Sequence, residues 1–317
     1  MSKHNAVPVR LNVEFAVEAQ TIRAWHYPAR NDDLAGPDGA PAVILAHGFS
    51  LTKDCGLEAY ARNFSKAGVH AVVFDYRGWG ESDGEIRDVV LMRSQLADYH
   101  AVLAGVREMA GIDPARVALW GTSYSGGTVV ACAAEDGAVA AVVAQVPNLD
   151  NLATARFLST RIRPLRLMRL GLRLARDVVA GWRGKEPVYV QSMGRTGEMA
   201  AYVSDESWDE FAQVAGPMWN NRVGLRDFVR LPMWRPVKKL NELPCRIQLH
   251  ACVQDDLTPW RPAVKAARQL GAQAELHEYS AGHFGIYVGE DQARALTTQA
   301  AFLTRELAIS DSTISTS

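Results

Sequence analysis

The sequence predicts an α/β fold in which helices cover both faces of a mostly parallel sheet. Continuous apolar runs, typical of strands buried on both faces, occur at residues 42–46, 71–74, 116–120 and 138–146. Segments with helical spacing separate them, at residues 57–67 and 89–110. Strands and helices that alternate in this way form parallel sheets, because each helix returns the chain to the end of the sheet where the previous strand began.

The two ends of the chain extend this pattern. Near the amino end, residues 13–19 and 21–27 are predicted to form an antiparallel strand pair. Towards the carboxyl end, further strands are predicted at residues 246–250 and 275–279, and a last helix at residues 292–307. The same α/β core therefore uses both ends of the chain.

Between residues 148 and 243 the strand pattern is interrupted. This segment is rich in Arg, Leu, Met and Trp and contains no convincing buried strand. We therefore expect a helical lid or cap inserted into one core, which residues 1–147 and 244–309 form together. The Ser/Thr-rich tail, residues 310–317, is expected to be disordered.

A glycine-rich turn of sequence GTSYSGG, residues 121–127, follows the strand at residues 116–120 and precedes a stretch of small residues. A strand–turn–helix of this kind exposes its central serine, Ser123, and points the free N–H groups of the new helix at an approaching group. Ser125 replaces the last glycine of the G-x-S-x-G pattern, at a position that needs a small residue. The alternative is an ordinary glycine-rich turn without chemistry.

A serine hydroxyl is a weak nucleophile, so it needs a base, and the base needs an orienting carboxylate. Asp255 and Asp256 follow the next-to-last predicted strand. Asp255 is favoured as the carboxylate, and a solvated acidic turn is the alternative interpretation. His283 follows the last predicted strand, after a glycine that leaves room for its ring. The chain order Ser123, Asp255, His283 predicts a catalytic triad.

Acyl transfer also needs N–H donors for the negative charge that develops on the carbonyl oxygen. One donor is expected to be the backbone N–H of Tyr124, next to the nucleophile. The other is expected to be the N–H of Phe49, in the His47-Gly48-Phe49 loop that follows the strand at residues 42–46. His47 is expected to brace this loop and to take no part in proton transfer.

Four motifs resemble those of the α/β-hydrolase superfamily: the loop from His47 to Phe49, the segment DYRGWGES at residues 75–82, the Ser123 turn and the Asp255/His283 pair. The resemblance implies an α/β-hydrolase fold with a serine nucleophile. The Ser123 turn and the His283 segment are similar to a dienelactone-hydrolase-like or Xaa-Pro-peptidase-like subgroup. That subgroup includes esterases, lactonases and polyketide-processing enzymes, so it leaves the substrate open.

In this architecture an insertion before the acid-bearing strand commonly folds over the active site. Large apolar side chains in the insertion would then line a water-poor pocket. The candidates for substrate contact are Trp182, Trp208, Met218 and Trp219, with Trp219 preferred. The alternative is that most of these side chains form the core of the lid itself.

The Arg- and Leu-rich run at residues 156–176 contains no acidic residue. A lid helix that packs its leucines on the core is the favoured interpretation. Contact between copies of the chain through the lid is the next one, and a basic amphipathic helix on a membrane surface is the third.

Charge and composition limit the classes of partner that we expect for this protein. The formal net charge of −1 gives no reason to expect nucleic acid or an anionic membrane as a partner. No apolar leader follows the amino terminus, and no stretch approaches the length of a membrane span, so a cytoplasmic protein is expected. The expected partner is a small-molecule substrate, with a homo-oligomer through the lid as a further expectation.

The sequence thus predicts a serine hydrolase for a carboxylic ester or lactone of a fairly apolar, aromatic or polyketide-like substrate, without metal or cofactor. One alternative is an acyltransferase or thioesterase for polyketide- or CoA-linked acyl groups. A further alternative, from a different functional class, is a protein that has this fold and binds a ligand but catalyses no reaction.

Overall fold

The main sheet of the protein has eight strands, in the order β1-β2-β4-β3-β5-β6-β10-β11. The fold is seen in a computed structural model, which describes residues 10–162 and 164–309. The strands are β1 (Leu11–Val17), β2 (Gln20–Tyr27), β3 (Ala40–Ala46), β4 (His70–Phe74), β5 (Ile112–Thr122), β6 (Ala141–Gln145), β7 (Tyr189–Gly194), β8 (Ala200–Val203), β9 (Val223–Gly224), β10 (Arg246–Cys252) and β11 (Ala274–Tyr279). The helices are α1 (Leu57–Lys66), α2 (Met92–Arg107), α3 (Tyr124–Asp136), α4 (Asn151–Ser159), α5 (Pro164–Trp182), α6 (Asp205–Phe211), α7 (Arg261–Leu270) and α8 (Gly289–Glu306).

The mostly parallel sheet is confirmed. β1 pairs antiparallel with β2, and β2 pairs antiparallel with β4. The pairs from β4 through β3, β5, β6 and β10 to β11 are all parallel. The predicted amino-terminal strand pair is therefore an antiparallel edge on a parallel sheet.

Both faces of the sheet are covered, as the continuous apolar runs predict. In β3, Ile44 and Ala46 face one hydrophobic cluster, which also holds side chains of α2 and α3. Val43 and Leu45 face a second cluster with side chains of α1 and α8. Alternate residues of one strand thus belong to opposite layers, because successive side chains in a strand point to opposite faces.

The lid segment differs from the expectation of helices alone. It contains α4, α5 and α6, but also a three-stranded sheet in the order β8-β7-β9. These strands have six, four and two residues, and only part of β7 and of β8 is buried. They therefore lack the long apolar run by which the core strands are recognised.

Helix α5 meets only part of the expectation that the Arg/Leu run packs its leucines on the core. The helix begins at Pro164, a favoured first helical residue, so the run is divided between α4 and α5. Leu165 is 55% exposed and Leu172 is 65% exposed. Leu170 and Leu174 are partly buried against the core cluster.

No helix within the described ranges is long and apolar enough to cross a membrane. The predicted disordered tail at residues 310–317 lies outside the described residues.

A buried ion pair joins the loop after β3 to the loop after β4. The Lys53 ammonium lies 2.6 Å from Asp75 Oδ2, and both side chains are completely buried. The backbone N–H of Lys53 donates to the other Asp75 oxygen at 2.7 Å, and Glu81 Oε2 lies 2.6 Å from the ammonium. Asp75 belongs to the DYRGWGES segment, whose role is therefore to fix the loop that contains His47, Gly48 and Phe49.

We predict that Lys53→Met lowers the free energy of unfolding by about 3 kcal/mol or more, because it leaves the Asp75 carboxylate buried without its cation. The matched control is Lys66→Met on the surface of α1, which should change the free energy of unfolding by less than about 0.5 kcal/mol. Urea unfolding followed by circular dichroism measures both. Equal small effects in the two variants would show that the pair does not hold these loops.

Candidate active site

Ser123 occupies the turn between β5 and α3 in a backbone conformation that residues with side chains rarely adopt. Its φ is 54° and its ψ is −117°. Such a conformation costs of the order of 1–3 kcal/mol and persists only where the surroundings enforce it. Because the next residue already starts α3, the strained turn presents the Ser123 side chain at the end of the sheet.

The neighbouring small residues make this turn sterically allowed. A Cβ at Gly121 would lie 2.3 Å from the Ser125 carbonyl oxygen, so only glycine fits there. The Ser125 hydroxyl accepts a hydrogen bond from the Thr122 N–H at 2.8 Å and donates to the Ala46 carbonyl at 2.8 Å. The sequence shows only that residue 125 is small. Its role as a bridge between the turn and β3 becomes visible in the structure.

The structure brings Ser123, His283 and Asp255 together. His283 Nε2 lies 3.0 Å from Ser123 Oγ, and His283 Nδ1 lies 2.6 Å from Asp255 Oδ2. His283 is 3% exposed and Asp255 is 6% exposed. The hydrogen bonds run from a carboxylate through an imidazole to a hydroxyl, which is the arrangement that activates a serine.

The two adjacent aspartates have different partners. The other oxygen of Asp255 accepts hydrogen bonds from the N–H groups of Leu257 and Thr258, at 2.8 and 2.7 Å. Asp256 instead accepts a hydrogen bond from the lid residue Ser207 at 2.6 Å. Asp255 is therefore the carboxylate that orients His283.

Two opposing effects set the pKa of His283. Burial lowers it, because a charged imidazolium loses its hydration. The negative charge of Asp255 and the hydrogen bond to it raise it, and together with Asp256 and Glu210 they outweigh burial. The pKa of His283 consequently lies above the ordinary histidine value, so the proton taken from a serine is held firmly.

The loop after β3 lies directly against the nucleophile. A Cβ at Gly48 would lie 3.0 Å from Ser123 Cβ, so a larger residue there would crowd Ser123. Phe49 and Ser123 line the same pocket. His47 is buried, hydrogen-bonds the Gly48 carbonyl oxygen at 2.9 Å and packs on Tyr76. It occupies the bracing position that the sequence analysis expected.

The second expected donor, the N–H of Tyr124, belongs to the first residue of α3. An N–H in the first turn of a helix has no carbonyl four residues earlier within that helix to bond. Tyr124 therefore has a backbone donor available beside Ser123, whereas its side chain is buried in the core.

Of the four lid residues expected to touch substrate, Trp219 lines the pocket beside Ser123. The expectation is corrected for the other three. Trp182 is 83% exposed at the end of α5. Trp208 and Met218 pack partly buried against the hydrophobic cluster that contains α1 and α8, and they are not among the residues that line the pocket.

Hydrogen bonds connect the lid segment, residues 148–243, to the loops that contain the candidate active-site residues. Trp219 Nε1 donates to the Ser50 carbonyl at 2.9 Å, next to the Gly48–Phe49 loop. From α6, Glu210 accepts a hydrogen bond from the Phe284 N–H at 3.0 Å, directly after His283. Burial raises the pKa of Glu210. Sequence analysis missed Glu210, since a lone glutamate in a lid segment has no recognisable motif.

Comparison with known proteins agrees with this geometry. The model of the alpha/beta hydrolase family matches residues 43–297. The chain belongs to the alpha/beta hydrolase family. Its α/β-hydrolase fold is thereby confirmed, as is the resemblance noted from the four motifs.

Individual relatives of this alpha/beta hydrolase span its full length. Quorum-quenching protein AidA of Acinetobacter baumannii (strain MDR-ZJ06) is 32% identical over 306 residues, covering 96% of this chain and 97% of AidA. Polyketide transferase ATR5 of Stachybotrys chlorohalonatus (strain IBT 40285) is 28% identical over 315 residues, covering 95% of this chain and 99% of ATR5. The crystal structure of alpha/beta hydrolase GrgF from Penicillium sp. sh18 has the same fold, with a TM-score of 0.77 at 24% identity and coverage of 96% and 100%.

We predict that Asp255→Asn lowers kcat for p-nitrophenyl butyrate by about 10³-fold or more, whereas Asp256→Asn changes it by less than about tenfold. Losing the Asp255 charge lowers the pKa of His283, so the acidic limb of the pH–rate profile should move to lower pH. Stopped-flow rates across pH measure both effects. A larger loss in the Asp256 variant would assign the carboxylate role to Asp256.

Proposed function

We propose that this alpha/beta hydrolase is a serine hydrolase that cleaves a carboxylic ester or lactone through an acyl-enzyme. The observation that carries the proposal is the hydrogen-bonded chain Asp255–His283–Ser123, with Ser123 on a strained turn at the carboxyl end of the sheet. A packing role alone does not require a serine, a base and an acid to meet in this order.

In the first step His283 Nε2 takes the proton of Ser123 Oγ as the oxygen attacks the substrate carbonyl. Asp255 keeps Nδ1 protonated and stabilises the imidazolium. The negative charge on the carbonyl oxygen is stabilised by the N–H groups of Phe49 and Tyr124. The tetrahedral intermediate then collapses, and His283 gives its proton to the departing alkoxide.

In the second step His283 activates a water molecule, which attacks the ester formed with Ser123. The proton passes from water to His283 and then to Ser123 Oγ, which restores the enzyme and releases the acid. A lactone gives one hydroxy acid in place of separate acid and alcohol. The scheme requires no metal or cofactor.

The pocket composition supports a fairly apolar substrate. Apart from the reacting groups, its walls include Leu51, Met193, Trp219, Phe284 and Tyr287. Side chains of this kind exclude water and strengthen the electrostatic interactions at the reacting carbonyl. The names of AidA and ATR5, a quorum-quenching protein and a polyketide transferase, agree with a small organic substrate of this class.

Acyl transfer is the second candidate, since ATR5 is named a polyketide transferase. In that reaction an alcohol or thiol replaces water in the second step. Adding ethanol or a thiol at increasing concentration and measuring the ester or thioester formed against free acid distinguishes the two. A transferase gives mainly the transfer product at low acceptor concentration.

We predict that wild-type protein hydrolyses p-nitrophenyl esters and is labelled by a fluorophosphonate on Ser123. Ser123→Ala should lose labelling and at least about 10³-fold in kcat, because it removes the hydroxyl that lies 3.0 Å from His283 Nε2. The matched control is Ser192→Ala, a serine that lines the same pocket but hydrogen-bonds Asn221. Its kcat should change less than about tenfold.

Retention of labelling and rate in Ser123→Ala would contradict this mechanism. A wild type that neither labels nor turns over any ester would instead favour the non-catalytic binding protein.

A further inference from the structure

The pocket beside Ser123 is small for the substrates that the proposed function requires. Its free volume is about 40 Å³, enough for a few water molecules. Trp219, Phe284 and Tyr287 close it on the lid and core sides. The acyl or alcohol chain of a substrate must therefore extend into other space.

A larger apolar groove lies next to this pocket, within the lid. Its free volume is about 270 Å³. The walls come from α4, α5 and the segment after β9, and include Leu158, Leu167, Leu170, Leu174, Leu225 and Phe228. On α5 the residues that line it are spaced three and four apart, so one face of the helix borders the groove.

Besides the Tyr202 phenol, three polar side chains border the groove, and the hydrogen-bonding groups of these three are engaged. Asn151 donates to the Trp234 carbonyl at 2.9 Å, and Thr154 donates to Asn148 at 2.8 Å. Ser159 donates to the Arg156 carbonyl at 2.8 Å. An occupant thus finds apolar surface and no strong polar anchor, which suits a hydrocarbon chain.

The groove begins close to the nucleophile. The Asn148 N–H donates to the Ser123 carbonyl at 2.8 Å. Asn151, three residues later at the start of α4, already lines the groove. The segment that supports the strained turn at Ser123 therefore also forms part of the groove wall.

Three aromatic rings form the boundary between the pocket and the groove. Phe49 packs edge-on against Tyr202 at 5.0 Å and against Phe228 at 5.5 Å between ring centroids. Phe49 lines the pocket, Phe228 lines the groove, and Tyr202 lines both. None of the three rings is fully buried.

We propose that the lid groove binds a linear apolar chain of the substrate, which enters past the Phe49–Tyr202–Phe228 boundary while the carbonyl stays at Ser123. This inference rests on the proposed function for the identity of the reacting group. It assigns the substrate class as esters or lactones with a medium-length, unbranched hydrocarbon chain. The groove, and not the pocket at Ser123, then sets the preference for chain length.

The test fills the groove without touching the reacting groups. Gly171 lines the groove, and a Cβ added there has no neighbour within 4 Å, so Gly171→Phe can be accommodated. Ala155→Phe narrows the groove from α4 on the opposite wall. The matched control is Leu172→Phe, which enlarges a side chain that is 65% exposed on α5.

The first readout is kcat/KM for p-nitrophenyl acetate, butyrate and octanoate. Wild type should gain up to about fourfold for each methylene that enters the groove. In Gly171→Phe and Ala155→Phe, kcat/KM should fall about tenfold or more for the octanoate ester and little for the acetate ester. In Leu172→Phe, kcat/KM should match wild type for all three esters. Equal kcat/KM along the wild-type series, or equal losses on all esters in the filled variants, would overturn the inference.

The second readout does not depend on turnover. In the Ser123→Ala background, calorimetric titration with 1-octanol should show saturable binding that the two filling substitutions weaken about tenfold and Leu172→Phe does not. Binding with this pattern in a protein that hydrolyses no ester would support the groove and overturn the proposed function instead. Ester hydrolysis without such binding would overturn the groove and leave the hydrolase intact.

Discussion

The strained backbone at Ser123 is the constraint on which the rest of the site depends. A positive φ at a serine persists only because Gly121 removes a steric clash and because the surrounding hydrogen bonds oppose relaxation. Ser125 connects the turn to the Ala46 carbonyl, and Asn148 holds the Ser123 carbonyl from the other side. The same contacts fix the nucleophile relative to the end of β3, where the expected oxyanion loop begins. The same contacts therefore keep the Ser123 backbone strained and fix its side chain relative to the end of β3.

The segment from residue 148 to residue 243 is also part of the candidate site, although it contains none of the residues Ser123, Asp255 and His283. Helix α6 supplies Ser207 to the loop of Asp256 and Glu210 to the segment after His283. Trp219 connects the lid to Ser50 on the opposite side of the pocket. Any lid displacement would stretch these bonds.

The features that could be predicted from the sequence are those with a signal within one short segment. The core strands are continuous apolar runs, and Ser123, Asp255 and His283 each follow such a run, so both fold and candidate triad have local signals. The lid has no such signal. Its strands are short, Trp182 is exposed, and Glu210 gains its contact with the segment after His283 only through the fold that brings α6 there. These features depend on contacts between distant segments, which neither periodicity nor motif spacing encodes.

Burial of the triad creates a conflict that the acid loop resolves. A dry pocket strengthens the attraction between charges, but it also penalises the imidazolium on which proton transfer depends. Asp255 offsets that penalty, and it remains a good acceptor because the N–H groups of Leu257 and Thr258 hold its second oxygen. A carboxylate on a flexible side chain would find water instead of His283. The compact turn after β10 is therefore as necessary as the carboxylate itself, and it separates the acid that orients the base from its neighbour, Asp256, which binds the lid.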